Sequence, residues 1–343
     1  MKNKLILRVL LLVLAIQLTS CGKEKTTDVK EETSQKLMVS DTIFDSKNPY
    51  YIFIQKNNPE VLKENKLIYF KEEDIDFDGK KEAIVALGEI DKEDEMQTSV
   101  SDIFLLRNEN GVIKKIDDFG SYGYTIYTVK LVSLQGKRQK YIYLGLTNGA
   151  NLKGFSLQEL ENNKLKKICT SASATGVGND DLVDENNDGK YDGYVQLRNG
   201  IDALYYEIDI HYIFKNGTFQ QSRTHVEIPP EYPDTIEEIL LQYISLRSLG
   251  FGESKEVNQR LKLICKDQNA SSLKWNADAW AEGYFNSYME LDNRIQFQIQ
   301  EDTYTTTATY TDENKKQYEC QFELREYGNI WQIIKVTILK DDE

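Results

Sequence analysis

The sequence predicts a mainly β protein in which repeated antiparallel units are followed by a small α+β domain with an antiparallel sheet. Three observations carry this. From about residue 41 to 230 the apolar residues alternate with period two in short runs bounded by Gly, Asn and Asp, as in AIVALG (83–88), YIYLGL (141–146) and YYEIDIHYIF (205–214). Two turn markers recur in phase along that stretch. Beyond IPPEYPD (228–234) the period changes to helical, and strands return only near the end.

The chain opens with Lys2 and Lys4 and an apolar run from Leu5 to Leu18 broken by Arg8, followed by Leu-Thr-Ser-Cys-Gly at 18–22. A basic start, an apolar core of that length and small residues before a cut point make a secretory signal. The run is shorter than the ~20 apolar residues a transmembrane helix needs. Its end resembles the bacterial lipobox, which implies cleavage after Ser20 and a lipid on the thiol of Cys21. The expected location is therefore the bacterial cell envelope, outside the cytoplasm, with the membrane as a partner through Cys21. Residues 21–40 hold Lys, Glu, Thr and Ser with little to bury, and read as a solvated tether. Loss of residues 1–20 removes three of the 42 basic residues and none of the 56 acidic ones, taking the formal charge from −14 to about −17. Such a surface repels nucleic acid and suits a holder of divalent cations.

Within 41–230 the repeat is visible by self-comparison. FDGKKEAIVALG, LQGKRQKYIYLG and NDGKYDGYVQL align on Gly79, Gly136 and Gly189, at spacings of 57 and 53 residues. NENGVIKKI (108–116), ENNKLKKI (161–168) and FKNGTF (214–219) recur beside them as turns between strands. Two markers in phase imply three supersecondary units. NPYYIFIQ (48–55) reads as a further strand, which would complete a fourth unit or join an open sheet.

Pro229, Pro230 and Pro233 then stop strand pairing, placing the start of the α+β segment at about 231. Thr235 and Glu238 form a capping box before Ile236, Ile239, Leu240 and Tyr243, which share one helical face. A second helix shows Ala277, Trp280, Ala281, Tyr284, Phe285 and Tyr288 on one face. The runs RIQFQIQ, YTTTATYT, KQYECQFELRE and NIWQIIKVTIL follow as strands, the last two joined at Tyr327-Gly328-Asn329. Cys265 and Cys320 both fall in this segment and are candidates for a disulfide; the alternative is that they and Cys169 are small buried hydrophobes.

The chemistry-bearing residues lie in two loops, DIDFDGKKE (74–82) and DENNDGKYD (184–192). A hard cation such as Ca²⁺ takes six to eight oxygens at ~2.4 Å, and a loop supplies them from positions 1, 3 and 5, with glycine at 6 and a carbonyl at 7. These positions hold Asp74, Asp76, Asp78, Gly79 and Lys80 in one loop and Asp184, Asn186, Asp188, Gly189 and Lys190 in the other. Position 9 is acidic in both, as Glu82 and Asp192. Position 12 is Val85 or Val195, where a helix-loop-helix calcium site has Glu, and each loop leads into an apolar strand. The middle unit has Leu131, Ser133 and Gln135 at the acidic positions and is expected to hold no metal.

The pattern D-x-D-x-D-G-x-x-[DE] followed by a strand resembles the calcium loops of integrin-type FG-GAP and VCBS repeats, which form blades of β-propellers. The resemblance implies a small or partial propeller-like domain over 41–230. It makes the acidic side chains and Asn186 ligands of structural calcium, with Lys80 and Lys190 offering carbonyls. The order of elements in 231–343 resembles the nuclear-transport-factor-type α+β cone.

No G-x-S-x-G, HExxH, Walker or glycine-rich dinucleotide motif is present. The expected function is therefore a lipid-anchored, calcium-binding module for a protein or glycan ligand at the envelope. The alternative is an extracytoplasmic enzyme with its pocket in the C-terminal cone or on the repeat axis.

Overall fold

The polypeptide enters through two short helices, α1 (Pro49–Asn57) and α2 (Pro59–Glu64). The computed structural model describes residues 44–300 and 304–341, all within one compact unit, Ser40–Glu343; Cys21 and the whole of the expected tether, 21–40, lie outside the described residues. Helix α1 replaces the strand expected at 48–55. Asn48 Oδ1 accepts hydrogen bonds from the amides of Tyr50 (2.9 Å) and Tyr51 (3.4 Å), and Pro49 follows at the first helical position. An Asn cap followed by Pro is a helix-start signal that outweighs the β-propensity of the aromatic residues. Tyr50 and Ile54, four residues apart, then face the core.

Twelve strands form three four-stranded antiparallel meanders. The first holds β1 (Lys66–Glu73), β2 (Glu82–Glu89), β3 (Ser99–Glu109) and β4 (Val112–Asp117), in that order. The second holds β5 (Thr125–Ser133), β6 (Lys140–Thr147), β7 (Leu152–Glu161) and β8 (Lys164–Ser171). The third holds β9 (Gly178–Val183), β10 (Gly193–Arg198), β11 (Glu207–Lys215) and β12 (Thr218–Glu227). A short parallel pairing of β7 with β9, through Leu152 and Lys153, joins the last two into one eight-stranded sheet. None of the sheets among the described residues closes into a barrel.

The two repeat markers fall at equivalent places. Gly79, Gly136 and Gly189 lie in the β1–β2, β5–β6 and β9–β10 connections, all with positive φ. The second marker supplies three two-residue hairpins, Asn110-Gly111, Asn162-Asn163 and Asn216-Gly217, in which both residues have positive φ. That is the backbone of a type I′ turn, for which Asn and Gly carry the smallest steric penalty.

Successive meanders pack face to face. In β2, Ala83, Val85 and Leu87 meet Tyr50 and Ile54 of α1, while Ile84 and Ala86 meet Val129, Ile142 and Leu144 of the second meander. In β6 the other face, Tyr141 and Tyr143, packs on Leu182 and Tyr194 of the third. Ile208 and Ile210 of β11 in turn pack against Leu246 of the C-terminal helices. The near-continuous apolar runs of β2 and β6 follow from burial on both faces.

The C-terminal segment contains α3 (Ile236–Ser248), α4 (Lys255–Ile264) and α5 (Ala277–Tyr288). A four-stranded antiparallel sheet follows: β13 (Gln296–Gln300), β14 (Thr305–Thr311), β15 (Gln317–Tyr327) and β16 (Ile330–Asp341). The capping box expected at Thr235 and Glu238 is formed, with Glu238 N–H donating to Thr235 Oγ1 and Glu238 Oε2 accepting from Thr235 N–H. The core gathers Trp280, Tyr243, Phe322 and Ile333. Cys265 and Cys320 lie in the same core as free thiols, so the disulfide is not formed and the alternative reading holds for them. Burial pushes the Cys265 thiol up to about 11 and that of Cys320 further still. In a chain carrying Cys21→Ser, a thiol-specific chromophoric reagent at pH 8 should therefore leave Cys265 and Cys320 unmodified until denaturant is added; rapid native-state labelling of either would contradict their burial.

Candidate metal centre

The two acidic loops share one backbone. Position 4 is left-handed in both, at Phe77 (φ 61°) and Asn187 (φ 57°), and so is the glycine at position 6. Each loop is folded around its own side chains. The amide of Gly79 donates to Asp74 Oδ2 (3.1 Å), that of Asp78 to Asp76 Oδ1 (3.2 Å) and that of Lys80 to Asp78 Oδ1 (2.8 Å). The second loop repeats the pattern, with Gly189 on Asp184 Oδ2 (2.8 Å), Asp188 on Asn186 Oδ1 (2.9 Å) and Lys190 on Asp188 Oδ1 (2.9 Å). Asx-type turns of this kind fix each side chain against the backbone of its own loop.

Asp74, Asp76 and Asp78 each bring one oxygen to within 4.8 Å of the others. Two oxygens on opposite sides of one Ca²⁺ at ~2.4 Å stand at most ~4.8 Å apart, so this spacing admits a single ion. Asp74 Oδ1 is buried and accepts no hydrogen bond, which leaves a desolvated carboxylate oxygen that a cation would satisfy. The donor set fits a hard divalent ion. In the second loop Asp184, Asn186 and Asp188 occupy the same positions on the same backbone turn, with one amide oxygen in place of a carboxylate.

Position 9 behaves differently from the ligand role expected of it. Glu82 stands outside the triad, fully buried, its Oε2 accepting from the Ile75 amide (3.0 Å) and its Oε1 from Arg107 Nε (2.7 Å). Asp192 makes the matching contact in the second loop, Oδ2 accepting from the Glu185 amide (2.9 Å). Both position-9 carboxylates thus close their loop from beneath. Burial pushes the Glu82 carboxyl up, while the Ile75 amide and the Arg107 guanidinium favour its ionised form.

Arg107, which sequence reasoning passed over, sits at the centre of the first loop. It lies on β3 directly opposite Glu82 and is 3 % exposed. Its Nη2 is 2.6 Å from Glu82 Oε1, 3.7 Å from Asp76 Oδ2 and 3.6 Å from Asp78 Oδ2. Nη1 donates to Asn163 Oδ1 (2.6 Å) in the β7–β8 turn, tying the loop to the next meander. The only trace in the sequence is a lone Arg ending the apolar run IFLL, and its partner becomes visible only with strand register. Phe214 follows Ile213, the β11 partner of Gly193, and stands where a matching cation would be. The first loop therefore carries part of its own neutralisation, whereas among the described residues no ion pair reaches Asp184, Asp188 or Asp192.

The middle turn, which lacks the acidic residues, lies between the two. Lys140 N–H donates to Ile75 O (2.9 Å), and the Arg138 guanidinium stands 4.7 Å over the Phe77 ring. On the other side Tyr191 pairs with the middle turn, its carbonyl accepting from Gln135 N–H and its N–H donating to Ser133 O, each 2.9 Å. Gln135 Nε2 donates to Asp188 Oδ2 (3.2 Å). Where the flanking loops have carboxylates, the middle one has a neutral donor that reaches its neighbour.

No family model matches the chain, and no curated protein matches it. Among solved structures, a rhamnogalacturonan lyase PL11 from Bacillus licheniformis is similar at a TM-score of 0.28 and 10% identity, over 48% of this chain and 35% of that one. This chain thus spans about a third of that protein's length, and a likeness at this level carries no functional argument.

Arg107→Gln should leave Glu82 as a buried, uncompensated carboxylate and destabilise the fold by about 3–5 kcal/mol. Urea unfolding followed by circular dichroism measures this, and a loss below ~1 kcal/mol would show that the pair does not hold the loop.

Proposed function

We propose that the protein is a lipid-anchored, extracytoplasmic binding module whose three meanders are blades of a small, open propeller-like array, stapled by calcium at two of its three loops. The observation that carries this reading is the repetition of one ligand-bearing backbone turn at 74–82 and 184–192, with the same three side chain-to-amide hydrogen bonds in each. A turn that serves only to reverse the chain has no need of the three carboxylate oxygens that Asp74, Asp76 and Asp78 bring within 4.8 Å of one another in the first loop. The residues that would hold the ion are Asp74, Asp76 and Asp78 in one loop and Asp184, Asn186 and Asp188 in the other, with the Lys80 and Lys190 carbonyls as further donors.

Calcium in this reading supplies positive charge to carboxylates that otherwise repel one another. The protein's own residues do the rest: Glu82 and Asp192 close the loops, Gln135 couples the second loop to the middle turn, and Arg107 anchors the first loop to the second meander. The end of the array that carries the loops is thereby made rigid, as a surface for a protein or glycan at the envelope requires. Anchoring through Cys21 rests on the Leu-Thr-Ser-Cys motif and the apolar run before it.

For an affinity typical of extracellular modules, Kd ~0.1 mM against ~1 mM calcium, each site contributes about 1.4 kcal/mol. Calcium should raise the melting temperature by a few degrees, and Asp78→Ala with Asp188→Ala should abolish the rise. Because Arg107 already faces the first loop, Asp188→Ala alone should remove the larger share. Differential scanning calorimetry with and without chelator reads both, and a melt indifferent to chelator would exclude the staple. Cys21→Ala should move the protein from the membrane fraction to the soluble one; its retention in the membrane would exclude lipid anchoring.

A further inference from the structure

A second site lies where the third meander meets the C-terminal helices, away from the acidic loops. A cleft of about 760 Å³ opens between the end of β12, the loop before α3 and the C-terminal end of α5. Its walls carry five tyrosines and five carboxylates, the latter from Glu207, Glu227, Glu231, Asp234 and Glu238, and no lysine or arginine. Glu238 is committed to the cap of α3, which leaves four acidic side chains around the opening.

The aromatic floor is built by design of the backbone. Leu204 and Tyr205 are consecutive non-glycine residues in the left-handed region, at φ 48° and 64°, held there by hydrogen bonds from Leu204 N–H to Ile201 O and from Tyr205 N–H to Gly200 O. A left-handed pair of bulky residues costs conformational energy. Here it brings the Tyr205 ring flat against Tyr288, with centroids 3.8 Å apart and planes 18° apart. Tyr288 lines the cleft and is still 56 % exposed despite this stacking. The opposite wall is stiff, with Pro229, Pro230 and Pro233 within five residues. Arg260 fixes it from behind, its guanidinium donating to the carbonyls of Pro229 and Glu231 (2.8 Å for the latter) and to Gln242 Oε1 (3.3 Å).

A rigid cleft with an exposed π-face and a one-sided set of carboxylates attracts a cation at both kinds of wall. The ring face offers negative quadrupole density, the carboxylates offer charge, and the concave low-dielectric surface concentrates the field between them. A hydrated metal ion would gain little from the tyrosines, and a neutral sugar would leave the carboxylates without an opposite charge. We infer that this cleft binds an alkylammonium group, presented either by a free polyamine or by the lysine side chains of a basic peptide. The site stands apart from the calcium loops and does not require them.

Calorimetric titration of the full chain with spermidine, with trilysine and with an uncharged disaccharide tests this. The inference expects saturable one-to-one binding of at least one amine, no heat from the disaccharide, and affinity about tenfold weaker in Tyr288→Ala. Glu207→Gln with Glu227→Gln should weaken it further while the melting temperature holds. Spermidine binding without trilysine binding identifies a free polyamine, and the reverse identifies peptide lysines. Binding should persist in the Asp78→Ala/Asp188→Ala variant, which separates this site from the calcium reading. Absence of amine binding, non-saturating uptake typical of a generally acidic surface, or equal affinity in Tyr288→Ala would overturn the proposal.

Discussion

Burial of β2 and β6 on both faces is the constraint on which the rest of the fold depends. Ala83, Val85 and Leu87 point one way along β2, with Ile84 and Ala86 the other way, and none is accessible to water beyond 1 %. A four-stranded meander alone would expose both of those faces, at ~25 cal/mol for each Å² of apolar surface left in water. Each meander therefore needs a neighbour on both sides. The series closes at one end with α1, which presents Tyr50 and Ile54, and at the other with helices that present Leu246 and Tyr284 to β11. Caps of different structure at the two ends are what a short repeat array requires.

Face-to-face packing brings the turns of successive meanders together at one end, and there the chemistry concentrates. Arg107 is buried in one meander yet bonded to the turn of the next, and the middle glycine turn contacts both acidic loops. The three repeats thus carry different side chains and contacts on one backbone plan. One loop is partly neutralised by an internal guanidinium, one is a neutral bridge, and one holds its carboxylates with an amide donor and, among the described residues, no paired cation. Mutual repulsion of carboxylates in the third would be relieved by an ion, which ties the local electrostatics to the stiffness of the whole array.

Where sequence reasoning misread the chain, the reasons are local. NPYYIFIQ alternates as a strand does, but Asn48 and Pro49 set a helix start, and a cap acts before periodicity can. Helix α4 escaped notice although Val257, Leu261 and Ile264 recur at i, i+4 and i+7 behind the Ser254 cap, because those apolar positions are set in an otherwise polar stretch of Lys, Glu, Asn, Gln and Arg. Cys265 and Cys320 share a core without bonding, since nearness in sequence segments says nothing of thiol geometry. Glu82 has the spacing of a ligand and the role of a latch, because Arg107 stands opposite it in the β2–β3 register.

Sequence alone determined the number of repeats, their turn chemistry and the oxygen-bearing positions. Those follow from short-range rules: the steric tolerance of Asn and Gly for positive φ, the period of two in strands, and the spacing of side chains along a loop. Tertiary structure decided which carboxylates converge, which one is latched to a buried guanidinium, and where tyrosines and acids from distant segments make a cleft. These depend on register and on packing between elements up to about eighty residues apart, such as Tyr205 on Tyr288. Such pairings are set by which faces must leave water together, and no local pattern encodes them.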